Sequence, residues 1–494
     1  MSESVQAVQV KDLPPPPPPN LRAYFKALGP GVIMASLAIG SGEWITFPAV
    51  IATFGPQLLW TAALSCLLQA VLAVESMKYP VFCGQPIHRA YQKLPPSPLG
   101  WAWIWTLLLF IPVMWPSWAI ASATAALALQ LGRLPGPQDS MMLLAWSILA
   151  LTIGLLVLHI GWKIQRTLEL LSWPLIILLF VTVLTAVIIA AHPDDWIAVI
   201  SGLGGFLNER GGLPPPNKID WIAISGAIAY IPAGFGFNLM LSSYARDKGW
   251  GMAHRVGYIS AVIGGRRVEL SAEEIPFEIN GDNLKKWRGW LNVLRIDSWI
   301  VFSLLTFFTV LMTSVMAYSL LTPEQAAALR GFGIAAAQAQ ALSNILGGVA
   351  WIIVLLGGFW ILFDTQWGLM DATTRTIMDN FWFASEKIKK WAKGDPRRLY
   401  YLILYVLFSI SLVIMIGALT LGWASPYQLT LTGANLGLFA LTIAYPLQII
   451  VNYKYLPKEL RPSIITTIIL AAGTVFYGFF LVGVLAQTLF NIKL

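Results

Sequence analysis

The sequence predicts an all-α, polytopic membrane protein built as a five-plus-five inverted repeat of about eleven transmembrane helices. Three observations carry that prediction. The 494 residues are 57% hydrophobic and only 11% charged, where a soluble domain is about 25% charged. The apolar residues fall into segments near the roughly 20 residues that a helix needs to cross hydrocarbon. Two of those segments, the first and the sixth, are interrupted by glycine, proline and polar residues at corresponding positions of two halves.

Residues 1–25 read as a disordered cytoplasmic tail in which Pro14 to Pro19 favour an extended polyproline conformation. A spacer is the expected role, with a ligand for a proline-reading module as the alternative. Residues 26–494 are expected to form one membrane domain, with 28–191 as first repeat, 220–451 as second and 463–488 as an extra helix. The polar N-terminus predicts no cleavable signal peptide.

In the first span, Ile39-Gly40-Ser41-Gly42-Glu43 sets two glycines, a serine and a carboxylate at mid-depth, so the helix should break there. Irregular backbone at that depth is stable only against protein or a water-filled cavity. Gly55-Pro56 turns the chain into a second span ending near Lys78, where Glu75 is either a solvated end-of-helix charge or a functional one. The third span, 100–131, contains Trp115-Pro116-Ser117-Trp118; the proline removes a helix hydrogen bond and predicts a kink. Spans four and five are predicted at 141–160 and 167–191, with His159 at the interface between them, and an outside loop continues to 219. The sixth span, 220–243, is broken at Pro232-Ala233-Gly234-Phe235-Gly236. The loop from Tyr244 to Asp297 is too short and too poor in apolar residues to bury a core of its own, and reads as an ordered lid or amphipathic segment. Spans seven to eleven follow at 298–321, 346–373, 400–421, 427–451 and 463–488.

The net charge of +8 does not gather into a patch, which argues against nucleic acid as a partner and for the positive-inside bias of membrane proteins. With the N-terminus cytoplasmic, every Lys and Arg except Arg133, Arg210, Lys218, Arg330 and Lys493 lies inside. The C-terminus is then outside, and a plasma (inner) membrane is the expected setting. Cys66 and Cys83 suggest neither a disulfide framework nor a metal site. His88, His159, His192 and His254 are scattered near membrane edges and loops, and Asp364 and Asp371 share one helix about two turns apart. No Ser-His pair or facing acid pair supports an enzyme, and no nucleotide loop or cofactor motif is present. The expected partners are the lipid bilayer and a small ion or solute, driven by a gradient.

The paired breaks supply the candidate site, because such interruptions mark where a repeat-built transporter binds its substrate. Gly40, Ser41, Gly42 and Glu43 face Tyr230, Ala233, Gly234, Gly236 and Asn238 as substrate-binding candidates. Glu43, Asp364 and Gln366 are candidates for a coupling ion or proton, and Glu43 with Asn238 for a metal. An ionised Glu43 at mid-depth is expensive unless it is paired or faces water. The bland alternatives are a Glu43 bonded to a neighbouring helix and glycines that merely permit close helix packing.

The opening Leu28-Gly29-Pro30-Gly31, the run Gly161-Trp162-Lys163-Ile164-Gln165-Arg166-Thr167-Leu168-Glu169 and the span order resemble the Nramp family of proton-coupled divalent metal transporters, which have the LeuT fold. The resemblance implies that fold, an alternating-access cycle and a metal cation as substrate. That family's metal site uses Asp-Pro-Gly-Asn in the first span and Met-Pro-His in the sixth; here the matching positions are Gly40-Ser41-Gly42-Glu43 and Ile231-Pro232-Ala233. The remaining ligands are oxygens from Glu43, Ser41, Asn238 and freed carbonyls, which suits a harder cation than the family's usual ones. Ile39-Gly40-Ser41-Gly42 also resembles the break with which amino-acid carriers of this fold hold a carboxylate, so an organic solute is the runner-up.

Overall fold

The structure, a computed structural model, describes residues 12–40, 42–160, 164–205, 219–261, 263, 268–322, 326 and 334–491. A short helix α1 (Leu21–Ala27) leads into a first span made of α2 (Pro30–Ala38) and α3 (Phe47–Phe54), with a π-helical turn at Gly42–Thr46 before α3. The second span is α4 (Leu59–Cys83), followed by the short α5 (Ile87–Tyr91). The third is divided at Pro116 into α6 (Pro98–Val113) and α7 (Ser117–Leu131), where the kink is predicted. Then come α8 (Ser140–Val157), α9 (Ile164–Ala190) and α10 (Pro193–Ser201). The sixth span is α11 (Trp221–Ala229) and α12 (Phe237–Lys248), separated by non-helical residues 230–236.

In the second half, α13 (Gly281–Arg295), a π-helical stretch at Ile296–Leu304 and α14 (Leu305–Leu320) run as one helix. Next are α15 (Ile334–Leu346), α16 (Gly348–Ala384), α17 (Glu386–Trp391), α18 (Pro396–Leu421), α19 (Pro426–Tyr455) and α20 (Ile464–Phe490). Among the described residues, 9 helices are long and apolar enough to cross a membrane, or 10 if the pair Phe180–Ala190 and Pro193–Gly204, bent by 113°, is one span. The two halves of the sixth are each too short to count alone; with them, the chain order matches the expected arrangement.

Burial explains where each helix sits. Every residue of α2 is buried, as a helix apolar all round must be when other helices surround it. Packed against it are α9, α12, α16 and the π-helical stretch of the seventh span, while α7 lies along α16. By contrast α18 and α20 leave Val413, Val475 and Phe479 exposed, apolar surface that hydrocarbon covers at no cost. The broken helices therefore stand at the centre of the bundle.

Four departures from expectation have physical causes. The outside loop contains α10, which has proline in its first turn and Asp194 and Asp195 beside it, both suited to a helix N-terminus. The seventh span starts at 281 because Trp287, Trp290, Val293 and Leu294 bury one face of an amphipathic helix. The eighth continues to Ala384 because its acids and bases pair with one another and with α12. At the N-terminus, expected to be disordered to residue 25, residues 20–27 form a capped helix, and Leu13 is fully buried with its N–H on Asn283 Oδ1 at 3.1 Å.

Candidate functional site

The first break forms where α2 runs out at Ala38. The Gly40 N–H turns back to the Ala38 carbonyl at 2.6 Å and also lies 3.1 Å from Glu43 Oε2, and the helix resumes with Trp44 N–H on the Gly40 carbonyl at 2.9 Å. Two glycines are needed for packing here. A Cβ at Gly42 would come within 2.9 Å of Tyr230 Cβ, and one at Gly40 would strike the Thr365 side chain, so the first break, the sixth break and α16 could not meet. Ser41 lies outside the described residues.

The sixth break is held open from the second span. Gln69 donates to the Ile231 carbonyl at 3.0 Å and accepts from the Ala233 N–H at 3.1 Å, and Ser65 also donates to the Ile231 carbonyl. Tyr477 on α20 ties the bracket down through Gln69 at 2.8 Å and Ser65 at 2.5 Å. These freed backbone groups had to find partners at membrane depth. Ser65 and Gln69 were missed from sequence, although two polar residues one turn apart on an apolar span are a readable signal. At the end of the break, Gly236 has φ +66°, a conformation that favours glycine.

Between the breaks lies a cavity of about 20 Å³ lined by residues including Leu37, Gly42, Trp118, Tyr230, Ala233, Phe235 and Thr365, room for about one water. Trp118, Tyr230 and Phe235 surround it as a ring of aromatic side chains with centroids 5.5–6.3 Å apart. Of the residues expected from sequence, Gly42, Tyr230, Ala233 and Gly234 line this cavity; Gly40 touches it through Thr365.

The polar candidates stand behind that lining. Glu43 is fully buried, and its Oε1 has no hydrogen-bond partner among the described residues. Asp364, also buried, accepts from Trp367 Nε1 at 2.6 Å and from the Ser36 hydroxyl of α2, while the Thr365 hydroxyl reaches the Leu37 carbonyl at 3.3 Å. Gln366 accepts from the Ala119 N–H at 3.0 Å and so caps the start of α7. Asn238 points elsewhere, to Tyr91 at 3.2 Å, which donates on to Gln448 at 2.9 Å. Among the described residues no three His, Cys, Asp or Glu side chains converge as a metal-binding group.

Nearer the tail, α12 and α16 share a buried ionic cluster. Arg246 pairs with Asp379 at 2.6 Å and Asp247 at 2.7 Å. Arg375 pairs with Asp371 at 3.0 Å and with Asp247, and the Tyr244 and Tyr400 hydroxyls donate to Asp371 at 2.7 and 2.5 Å. The five charged side chains are all fully buried. The spacing of Asp371, Arg375 and Asp379 at four-residue steps sets them on one helix face, which the sequence could have disclosed.

No family model matches this chain, and no curated protein matches it by sequence. Solved structures do. A histidine-to-alanine variant of the Eremococcus coleocola manganese transporter aligns with TM-score 0.68 and 14% identity, covering 97% of this chain and 90% of that one. The same transporter in complex with an aromatic bis-isothiourea compound aligns with TM-score 0.66 and 15% identity over 96% and 90%. Mhp1, a nucleobase-cation-symport-1 family transporter in a closed conformation with bromovinylhydantoin bound, aligns with TM-score 0.53 and 14% identity over 94% and 91%. At these identities the likeness establishes the fold: the all-α, LeuT-type architecture is the observed one, and the Nramp-like resemblance agrees with it.

Proposed function

We propose that this protein is a secondary-active transporter that carries a small cation by alternating access. The broken helices α2–α3 and α11–α12 move against the other spans, and Glu43 and Asp364 supply the charge that binds the cation or exchanges a coupled proton. The observation that carries this reading is the state of those two carboxylates. Both are buried beside the breaks, and among the described residues neither has a Lys, Arg or His partner. A carboxylate at that depth must meet positive charge or take up a proton, and a cation or proton that comes and goes meets that need. The manganese transporter and the nucleobase-cation symporter with this fold support gradient-driven transport as the class.

The donor set bears on the choice of cation. Ala233 offers no imidazole, and Ile231 offers only a carbonyl that Ser65 and Gln69 already engage. Without thioether and imidazole, the preference for softer transition metals lapses in favour of harder ions. One observation favours a second reading, an organic cation: the rings of Trp118, Tyr230 and Phe235 suit a positive charge carrying apolar substituents. A substrate carboxylate held at the first break fits less well, because the Gly40 amide already faces Glu43.

The test is uptake into proteoliposomes under an imposed proton or sodium gradient, with magnesium, manganese and small organic amines offered in turn. One cation should accumulate and should raise the parent's thermal stability by about 2.7 kcal/mol at 100 times its Kd. Glu43→Gln should abolish both effects while staying monodisperse. Normal gradient-driven uptake by well-folded Glu43→Gln protein would remove this residue from the mechanism. Saturable manganese uptake at micromolar concentration, ahead of magnesium, would overturn the donor argument.

A further inference from the structure

We infer that the face of α13 bearing Asn283, Gly289 and Trp290 is a polyproline-binding site, filled by residues 13–18 of the same chain, and that its occupancy latches the first half-helix α2 in place. The contacts are those by which a proline-rich segment is read. The Leu13 N–H donates to Asn283 Oδ1 at 3.1 Å, and the Trp290 indole N–H donates to the Pro14 carbonyl at 2.9 Å. Gly289 leaves the space that the Pro16 ring occupies; any side chain there would collide with it.

The burial pattern has the three-residue beat of a polyproline helix. Leu13 is buried and Pro16 half-buried against α13, whereas Pro15 and Pro18 are exposed. Such a segment is stiff before it binds and keeps its carbonyls free to accept, which is why aromatic surfaces with an indole donor recognise it. The sequence leaves open a ligand for a proline-reading module, and here the module belongs to the chain itself.

The consequence for α2 follows from connectivity. The strap leaves α13 through α1 and enters the first span at Gly29-Pro30, and α13 continues into the seventh span. From that span Asp297 accepts from the Gly29 and Gly31 N–H groups at 3.2 and 2.6 Å. Trp250 and Lys248 donate to the Ala27 and Leu28 carbonyls at 3.0 and 3.2 Å. The tail-side end of α2 is thus fastened directly, and a second time through the strap. The latch rests on the transporter reading, in which the cavity opens to the tail side by movement of α2; the polyproline site does not.

Two variants release the strap without touching the cavity. Gly289→Ala fills the space of Pro16 while improving the helix propensity of α13, and Leu13→Asp sets a charge in a buried slot. The first readout is binding of a fluorescent synthetic peptide of residues 10–20. The second is the rate at which a membrane-impermeant maleimide, added from the tail side, labels Met34→Cys on α2, over the background of buried Cys66 and Cys83. Saturable peptide binding to Leu13→Asp, and its loss when Gly289→Ala is added, is the expected result for the site. For the latch, labelling should rise about tenfold in each variant, the effect of losing two hydrogen bonds, and the peptide should restore the parent rate in Leu13→Asp. Absence of saturable peptide binding overturns the site, and peptide binding with unchanged labelling overturns the latch. Failure of the transporter reading would appear instead as absence of uptake by the parent protein.

Discussion

Asp364 and Asp371 lie seven residues apart on α16, equally hidden from solvent, and live in opposite surroundings. Asp371 accepts from Arg375 and from two tyrosine hydroxyls, inside a cluster of three acids and two arginines. Among the described residues Asp364 meets only a serine hydroxyl and an indole N–H. Burial therefore does not distinguish a paired structural charge from the one proposed above to meet an ion; the identity of the partners does. A carboxylate saturated by arginine has no reason to bind anything else, whereas one met by neutral donors keeps its charge available to a visiting ion.

The comparison can be broken most forcefully at Arg375. Arg375→Met leaves Asp371 and Asp247 buried with too little positive charge, which should cost about 3–5 kcal/mol of stability. Thermal and denaturant unfolding in detergent should show it as a large fall in midpoint, and a near-parental midpoint would mean that the cluster does not hold α12 and α16 together.

A smaller effect is expected at His88 on α5, whose two ring nitrogens are buried without partners among the described residues and whose ring stacks on Phe383 at 5.6 Å. Burial first, and then the Arg246 and Arg89 charges, push its pKa well below the usual histidine range. The folded protein keeps this imidazole neutral where the unfolded chain would protonate it. Stability is thus full above the unfolded value near 6.5 and falls as pH drops below it, by about 1.4 kcal/mol per pH unit. His88→Phe should flatten that slope between pH 6.5 and 5; an unchanged slope would assign it to other groups.

The smallest change in stability belongs to Asp364 and sharpens the contrast. Asp364→Asn keeps an oxygen for Ser36 or Trp367 and removes a charge that no cation among the described residues balances, so its unfolding free energy should change by no more than about 1 kcal/mol. Gradient-driven uptake should nonetheless be lost. Retained uptake, or a collapse like that of Arg375→Met, would erase the distinction between the two aspartates.

How much of this was legible depended on whether the signal was local. Glycine and proline announce a break wherever they interrupt an apolar run, so both interruptions, the division of the third span at Pro116 and the order of the spans were readable. Partnership across the bundle was not. Nothing near Asn238 says that it faces Tyr91 instead of Glu43, and nothing near Gln366 says that it caps α7. Gln69, which brackets the sixth break, lies 162 residues before the carbonyl it holds. The proline run shows the other limit: its extended conformation follows from composition, but the tryptophan that reads it is 276 residues away.

The length of α16 has its own consequence. Thirty-seven residues in one helix span about 55 Å, against a hydrocarbon slab about 30 Å thick. Such a rod must lean or project, and it carries Asp364 and the arginine-bound acids as fixed marks along a single shaft. In the alternating-access cycle proposed above, bilayer thickness then becomes a variable. Thinner lipid favours a steeper lean and thicker lipid a more upright shaft, and either would shift both marks together, so the acyl-chain length of the host membrane should set how readily the protein changes state.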